Sequence, residues 1–136
     1  FRWEKVILKG CRFTGTMSGN DFGRWPTAEH PELGGIEDCD FTEARLNYCR
    51  FHGCDMRTIR LPPWPCFTLL DPLGRSRELK SARWPELFGD VVVENLHTQP
   101  ASTVALSYHA PTVAKRYGTT PEELKAVLEK LDCVVY

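Results

Sequence analysis

A chain of 136 residues has room for one domain, or for one repeat module with a small companion, but not for two large independent domains. Its 17 basic and 18 acidic residues nearly cancel, which withholds both the positive field that grips phosphates and the acidic field of a nucleic-acid mimic. A hydrophobic fraction of 42% rules out wholesale disorder, yet no apolar run approaches the ~20 residues of a membrane span and Phe1-Arg2-Trp3-Glu4-Lys5 is not laid out as a signal peptide, so a soluble cytoplasmic protein is expected.

The chain opens with short units in which a large apolar residue follows another side chain by two: Val6-Ile7-Leu8, Cys11-Arg12-Phe13 and Asn20-Asp21-Phe22. Leu8 to Phe13 is a step of five, whereas Phe13 to Phe22 is nine rather than ten. Residues 24–33, rich in proline and charge, read as a loop carried out of the repeat. From Gly34 the period is unbroken: Ile36, Phe41, Leu46, Phe51, Met56 and Leu61 fall at every fifth position. Cys39, Ala44, Cys49, Cys54 and Ile59 stand two residues ahead of the last five of these, and Asp40, Arg45, Arg50, Asp55 and Arg60 lie between. A period of five belongs neither to an α-helix nor to a flat strand. It requires a chain that turns a corner every five residues, with two side chains per unit pointing inward. In so narrow an interior a large residue leaves room only for a small companion, while the charge between them faces water.

This pattern resembles the pentapeptide-repeat family, on Cys39-Asp40-Phe41, Ala44-Arg45-Leu46, Cys49-Arg50-Phe51 and Cys54-Asp55-Met56 together with the upstream units, over residues 1–66. The resemblance implies a β-solenoid: a short right-handed four-sided β-helix over residues 1–66, with an insert loop at 24–33 and a separate cap. Family members that imitate DNA are long and acidic, and this chain is neither. Coils of such a solenoid stabilise their neighbours, so open ends must be covered. A homodimer through the coil end at Phe1 is one way to do so.

Leu61-Pro62-Pro63-Trp64-Pro65-Cys66-Phe67 ends the repeat, because three prolines remove N–H groups that another coil would need. Trp64 and Phe67 are expected to plug the tube. Beyond them the five-residue period vanishes, and a small α+β cap is expected over residues 67–136, packed on the end of the β-helix. Arg75 to Ala82 reads as a helix stopped by Trp84-Pro85. Val91-Val92-Val93 and Thr103 to Tyr108 read as strands, and Thr112 to Tyr117 as a helix ended by Gly118. Pro121 to Asp132 is a helix capped by Thr120, with Glu123 placed for a capping box and Leu124, Val127, Leu128 and Leu131 on one face. Cys133 to Tyr136 is β-prone and is expected to pair with one of the two preceding strands.

Candidate chemistry is sparse. Cys11, Cys39, Cys49 and Cys54 occupy the small interior slot of the repeat, where cysteine acts as a compact hydrophobe. The cysteine and histidine spacings match no zinc pattern, so no metal or cofactor is expected. His52 follows Phe51 in a slot expected to face solvent, within reach of Asp55 or Glu43. His109, Ser107 and Cys133 are in no recognisable catalytic order, and phosphate-cradling glycine patterns are absent. Val113 to Leu131 has the spacing of a helix-turn-helix, but Glu122 and Glu123 would face the phosphates. The densest basic stretch is Arg75, Arg77, Lys80 and Arg83. Together with Trp25 in the insert loop, these four are the candidate partner-binding residues.

The function expected is a non-catalytic protein-interaction scaffold that binds another protein, in the manner of a bacterial immunity or regulatory partner. Two alternatives stand beside it. One is a small enzyme with a site between β-helix and cap, drawing on Tyr108, His109 and Asp132. The other is a helix-turn-helix DNA-binding regulator.

Overall fold

Phe41 and Leu46 are five residues apart on one strand, β5 (Cys39–Asn47), and both side chains are fully buried in the same cluster. In a flat strand an odd spacing sends two side chains to opposite faces. The strand therefore bends between them, at the exposed pair Thr42 and Glu43. The next corner is made differently. Asp38 and Tyr48, just ahead of Cys39 and Cys49, adopt left-handed backbone angles with φ of 51° and 50°, as do Gly10, Gly19 and Gly53 ahead of Cys11, Asn20 and Cys54. A left-handed residue before the small slot is thus a recurring corner of the repeat.

The computed structural model describes residues 1–25 and 30–136. Successive segments stack in parallel: β1 (Ile7–Lys9) on β4 (Gly35–Glu37), β2 (Arg12–Ser18) on β5, β3 (Asp21–Gly23) on β6 (Cys49–His52), and β5 on β7 (Ile59–Arg60). Partners are twenty positions apart at Cys39 and Ile59 but twenty-eight apart at Ile7 and Gly35. The surplus falls between β3 and β4, where the looped-out segment was expected. Of that segment, residues 26–29 lie outside the described residues, and Pro31–Leu33 forms a short 3-10 turn. The nine-residue step from Phe13 to Phe22 also has a location: the register between β2 and β5 shifts by one between Arg12 and Thr14.

Inside the stack, Leu8, Phe22, Ile36, Phe41, Leu46 and Phe51 are buried with Cys39, Ala44, Cys49 and Ile59. Rings from successive layers face one another, with Phe13 to Phe41 at 4.5 Å and Phe22 to Phe51 at 5.3 Å between centroids. The thiols of Cys39 and Cys49 donate to the carbonyls of Leu8 at 3.6 Å and Met17 at 3.4 Å, and burial raises their pKa, that of Cys54 to about 12. Such thiols are poor nucleophiles.

The second half differs from expectation at several points. Cys66–Leu70 is a strand, β8, although prolines precede it. It pairs antiparallel with β9 (Thr103–His109), and β9 in turn lies antiparallel along β6. The last strand, β10 (Val134–Val135), pairs with β8 and not with either strand expected for it. One mixed sheet, in the order β10-β8-β9-β6-β3, therefore runs through both halves, and the boundary expected at residue 66 falls inside it. The position a further coil would occupy beside β6 is filled by β9, which satisfies the exposed ladder without repeating the pentapeptide.

Val91 to Val93 is not a strand. It completes a π-helical turn, Gly89–Val93, that continues the short helix α2 (Glu86–Phe88), closed by the Glu94 N–H on the Gly89 carbonyl. Val93 inserts into the core while Val91 is exposed, so β-branching here serves packing of one residue and no ladder. Nor do Trp64 and Phe67 plug the tube: both pack in a second core with Leu69, Leu79, Phe88, Leu106, Tyr108, Leu124 and Leu128. Closure of the first core comes instead from Ala105 and from Val104 and Leu70 packed against it.

The remaining helices lie close to their expected places. α1 is Ser76–Ser81, α3 is Ala110–Tyr117 with Gly118 in the left-handed region at φ 67°, and α4 is Pro121–Leu128. The Thr120 hydroxyl accepts from the Glu123 N–H at 3.2 Å, and the Glu123 carboxylate accepts from Thr119.

Candidate functional site

α1 and α4 share the second core through Leu79, Leu124 and Leu128, which are fully buried. Leu124, Val127, Leu128 and Leu131 were expected on one apolar face of a helix reaching Asp132, but α4 ends at Leu128 and only Leu124 and Leu128 reach the interior. Val127 and Leu131 remain half-buried and, with Ala82 and Ala126, floor a groove of about 580 Å³ between the helices. Glu78, Arg83, Glu123 and Lys130 border it. Of the basic residues expected to meet a partner, Arg75 is engaged internally. It donates to Glu78 at 2.8 Å and pairs with Asp132, and those hydrogen bonds raise its pKa. Arg77, Lys80 and Arg83 are exposed, and among the described residues none has an ion-pair partner.

Trp25 is elsewhere. It is only 8% exposed, its ring edge-on to His52 at 4.7 Å and faced by the guanidinium groups of Arg2 at 4.1 Å and Arg50 at 5.1 Å. The structure does not bring it to the surface that carries Arg77, Lys80 and Arg83.

His52, expected to face solvent beside Asp55 or Glu43, is fully buried. The reason is β9. Once that strand lies along β6, the outward slot after Phe51 is covered. His52 Nε2–H donates to Asp21 Oδ1 at 3.1 Å, since a carboxylate only accepts, and the hydroxyls of Ser102 at 3.2 Å and Thr103 at 3.3 Å face Nδ1. Arg50 grips the same carboxylate, at 2.6 Å from Nε and 3.1 Å from Nη2, and its Nη1 donates to Gln99 Oε1 at 3.0 Å. Burial alone would raise the Asp21 pKa, but the hydrogen bonds from His52 and Arg50 outweigh it and hold the carboxylate below its usual range. Asp21, Arg50 and His52 come from the repeat, and Gln99, Ser102 and Thr103 from the second half. The cluster is a polar clamp across the junction. Sequence reasoning missed it because its charges sit on coils far apart in the chain, and only the charged slot of Arg50 hinted at it.

The junction also contains a cleft of about 400 Å³. It is lined by Tyr48 of the repeat, Tyr108 of β9 and Arg116 and Tyr117 of α3. The three residues considered for an enzyme do not meet there. Tyr108 borders this cleft, its pKa raised by burial. His109, its neighbour on β9, borders a different depression beside Ala44, Arg45 and Pro65, with Nδ1 on the Thr112 hydroxyl at 2.7 Å. Asp132 borders neither and pairs with Arg75. α3 and α4 form an αα-hairpin whose second helix carries Glu122 and Glu123 in its first turn, acids that repel phosphate.

Among the described residues no group of His, Cys, Asp and Glu could hold a metal ion, and no helix is long and apolar enough to cross a membrane.

A family model described as pentapeptide repeats, of 8 copies, matches residues 37–61. No curated protein and no solved structure matches the chain. The matched segment holds the corners at Asp38, Tyr48 and Gly53 and the buried series Phe41, Leu46 and Phe51, so the five-residue period read there from the sequence is a pentapeptide repeat.

Proposed function

We infer that this pentapeptide-repeat protein is a non-catalytic interaction module, a short four-sided right-handed coil that holds a helical cap at a fixed angle for another protein to engage. A four-unit coil accounts for the twenty-residue offset between Cys39 and Ile59. The observation that carries the docking role is the α1–α4 groove, with an apolar floor of Ala82, Val127 and Leu131, the cations Arg83 and Lys130 at its border, and the acids there, Glu78 and Glu123, held by Arg75 and Thr119; exposed Arg77 and Lys80 extend the positive charge along α1 without an ion pair among the described residues. Such a surface suits an amphipathic partner segment whose apolar ridge is flanked by Asp or Glu, the helix-in-groove mode of recognition. A cytoplasmic immunity or regulatory partner of another protein fits this role by analogy.

The test is affinity purification from the native source with the wild-type chain and an R77E/K80E/R83E variant, each shown to be folded by circular dichroism. A partner that co-purifies in near-equal amount with the wild type and is lost with the variant is the expected result. Identical recoveries from both would contradict it.

A further inference from the structure

We propose that the junction cleft is a binding site for a small planar aromatic anion. This rests on groups separate from the α1–α4 groove, and it stands or falls without the protein-docking role.

The first observation is backbone strain. The left-handed corners of the repeat are filled by Gly10, Gly19, Asp38 and Gly53, residues that tolerate such angles, and at the remaining one by Tyr48. A bulky side chain there is costly and recurs where a local conformation has a task. Neither the tube nor the sheet needs the Tyr48 ring: it is 44% exposed, tilted toward Tyr108 at 6.1 Å between centroids, with the Arg50 guanidinium 5.8 Å from its centre. It stands as one wall of the cleft, with Tyr117 and the side chains of Val91 and Val92 completing an apolar surround.

The second observation is the polarity left over once internal hydrogen bonds are assigned. Gln99 Oε1 accepts from Arg50, which leaves its amide NH₂. Asn47 Oδ1 accepts from the His109 N–H, which likewise leaves a donor. Arg116 is exposed and lies over the Tyr117 ring at 5.7 Å, without an ion pair among the described residues. No Asp or Glu lines the cleft. These donors, one of them cationic, and the lack of a carboxylate in the lining select an acceptor-rich anion over a cation, and the rings of Tyr48, Tyr108 and Tyr117 in that lining select a flat apolar body. A volume of about 400 Å³ is that of a small-molecule pocket.

The experiment titrates the ¹⁵N-labelled full chain with indole-3-acetate and, separately, with its neutral isostere indole-3-acetamide, following backbone amides by NMR. The acid is expected to saturate the protein, to shift the amides of Tyr48, Gln99 and Arg116, and to bind about tenfold more tightly than the amide. Arg116→Gln, an exposed change that leaves the core untouched, should abolish that preference while leaving the affinity for the amide unchanged. Tyr48→Asn keeps a residue suited to the left-handed corner and should weaken both probes. Equal affinities of acid and amide for the wild type, shifts confined to the α1–α4 groove, or no saturable binding would each overturn the assignment.

Discussion

At single positions the fold depends on where a side chain can and cannot exist. Gly23 has φ of +90°, and a Cβ there would lie 2.1 Å from the backbone oxygen of His52 on the next coil. Gly15 has nearly the same φ, +86°, but open space around it. Gly23→Ala should therefore destabilise the protein by about 3 kcal/mol or more, because backbone must move, and Gly15→Ala by only about 1 kcal/mol, from conformation alone. Urea denaturation of the two variants checks the contrast. Equal losses would mean that the coils are not stacked this closely. The large interior residues act by volume. Phe51 is fully buried between Phe22 and Phe41, and Phe51→Ala should cost about 3–5 kcal/mol in the same measurement. These positions were legible in the sequence because period and size both marked them. Tyr48 and His52 were not, since a repeat announces which residues face inward and says nothing of what another part of the chain later covers.

Among the elements, those governed by local chemistry match their expected positions most closely. The α4 start follows from Thr120, Pro121 and Glu123 within four residues, and its cap is present as a hydrogen bond at 3.2 Å. Thr120→Ala should lower stability by about 1 kcal/mol, read from the thermal or urea midpoint, with Thr120→Ser close to wild type. Elements defined by distant partners were harder to read. β8 is a strand because β9 and β10 flank it, and nothing within Cys66 to Leu70 distinguishes that from a plug. Val91 to Val93 has strand propensity but no neighbouring edge, so the helical path prevails, as tertiary context routinely overrides β propensity. The bend within β5 lies at the other extreme: spacings of two, three and two between Cys39, Phe41, Ala44 and Leu46 encode it directly.

Over the whole molecule, what matters is that the two cores share one sheet. Ala105 belongs to the core of the repeat, and Leu106 and Tyr108, on the same strand, to the core beneath the helices. The halves should therefore unfold together in a single transition. The clamp reinforces the seam. Replacing Arg50 by Ala leaves the Asp21 carboxylate buried with His52 as its remaining side-chain partner and should cost about 3 kcal/mol.

The same seam sets a pH dependence. Burial, with a contribution from Arg45, holds the His109 pKa below its ordinary 6.5, so the unfolded chain binds that proton more readily. Its stabilisation is complete above pH 6.5 and is lost as pH falls toward the folded value. Asp21, held below 3.8, adds stability that is present above 3.8 and lost as pH falls through its own folded value. The urea midpoint should thus decline in two stages on acidification, and His109→Gln should remove the upper one.

A NOESY spectrum of the full chain in solution, read for contacts between coils and across the seam, tests the stacking and its closure. Stacked coils closed by an antiparallel strand predict cross-peaks from Phe22 to Phe51 and from Phe13 to Phe41, parallel contacts between Asp40 and Arg60, and antiparallel contacts between Phe51 and Ala105. Sequential helical contacts through residues 37–61, or the absence of any contact between Phe51 and Ala105, would contradict it.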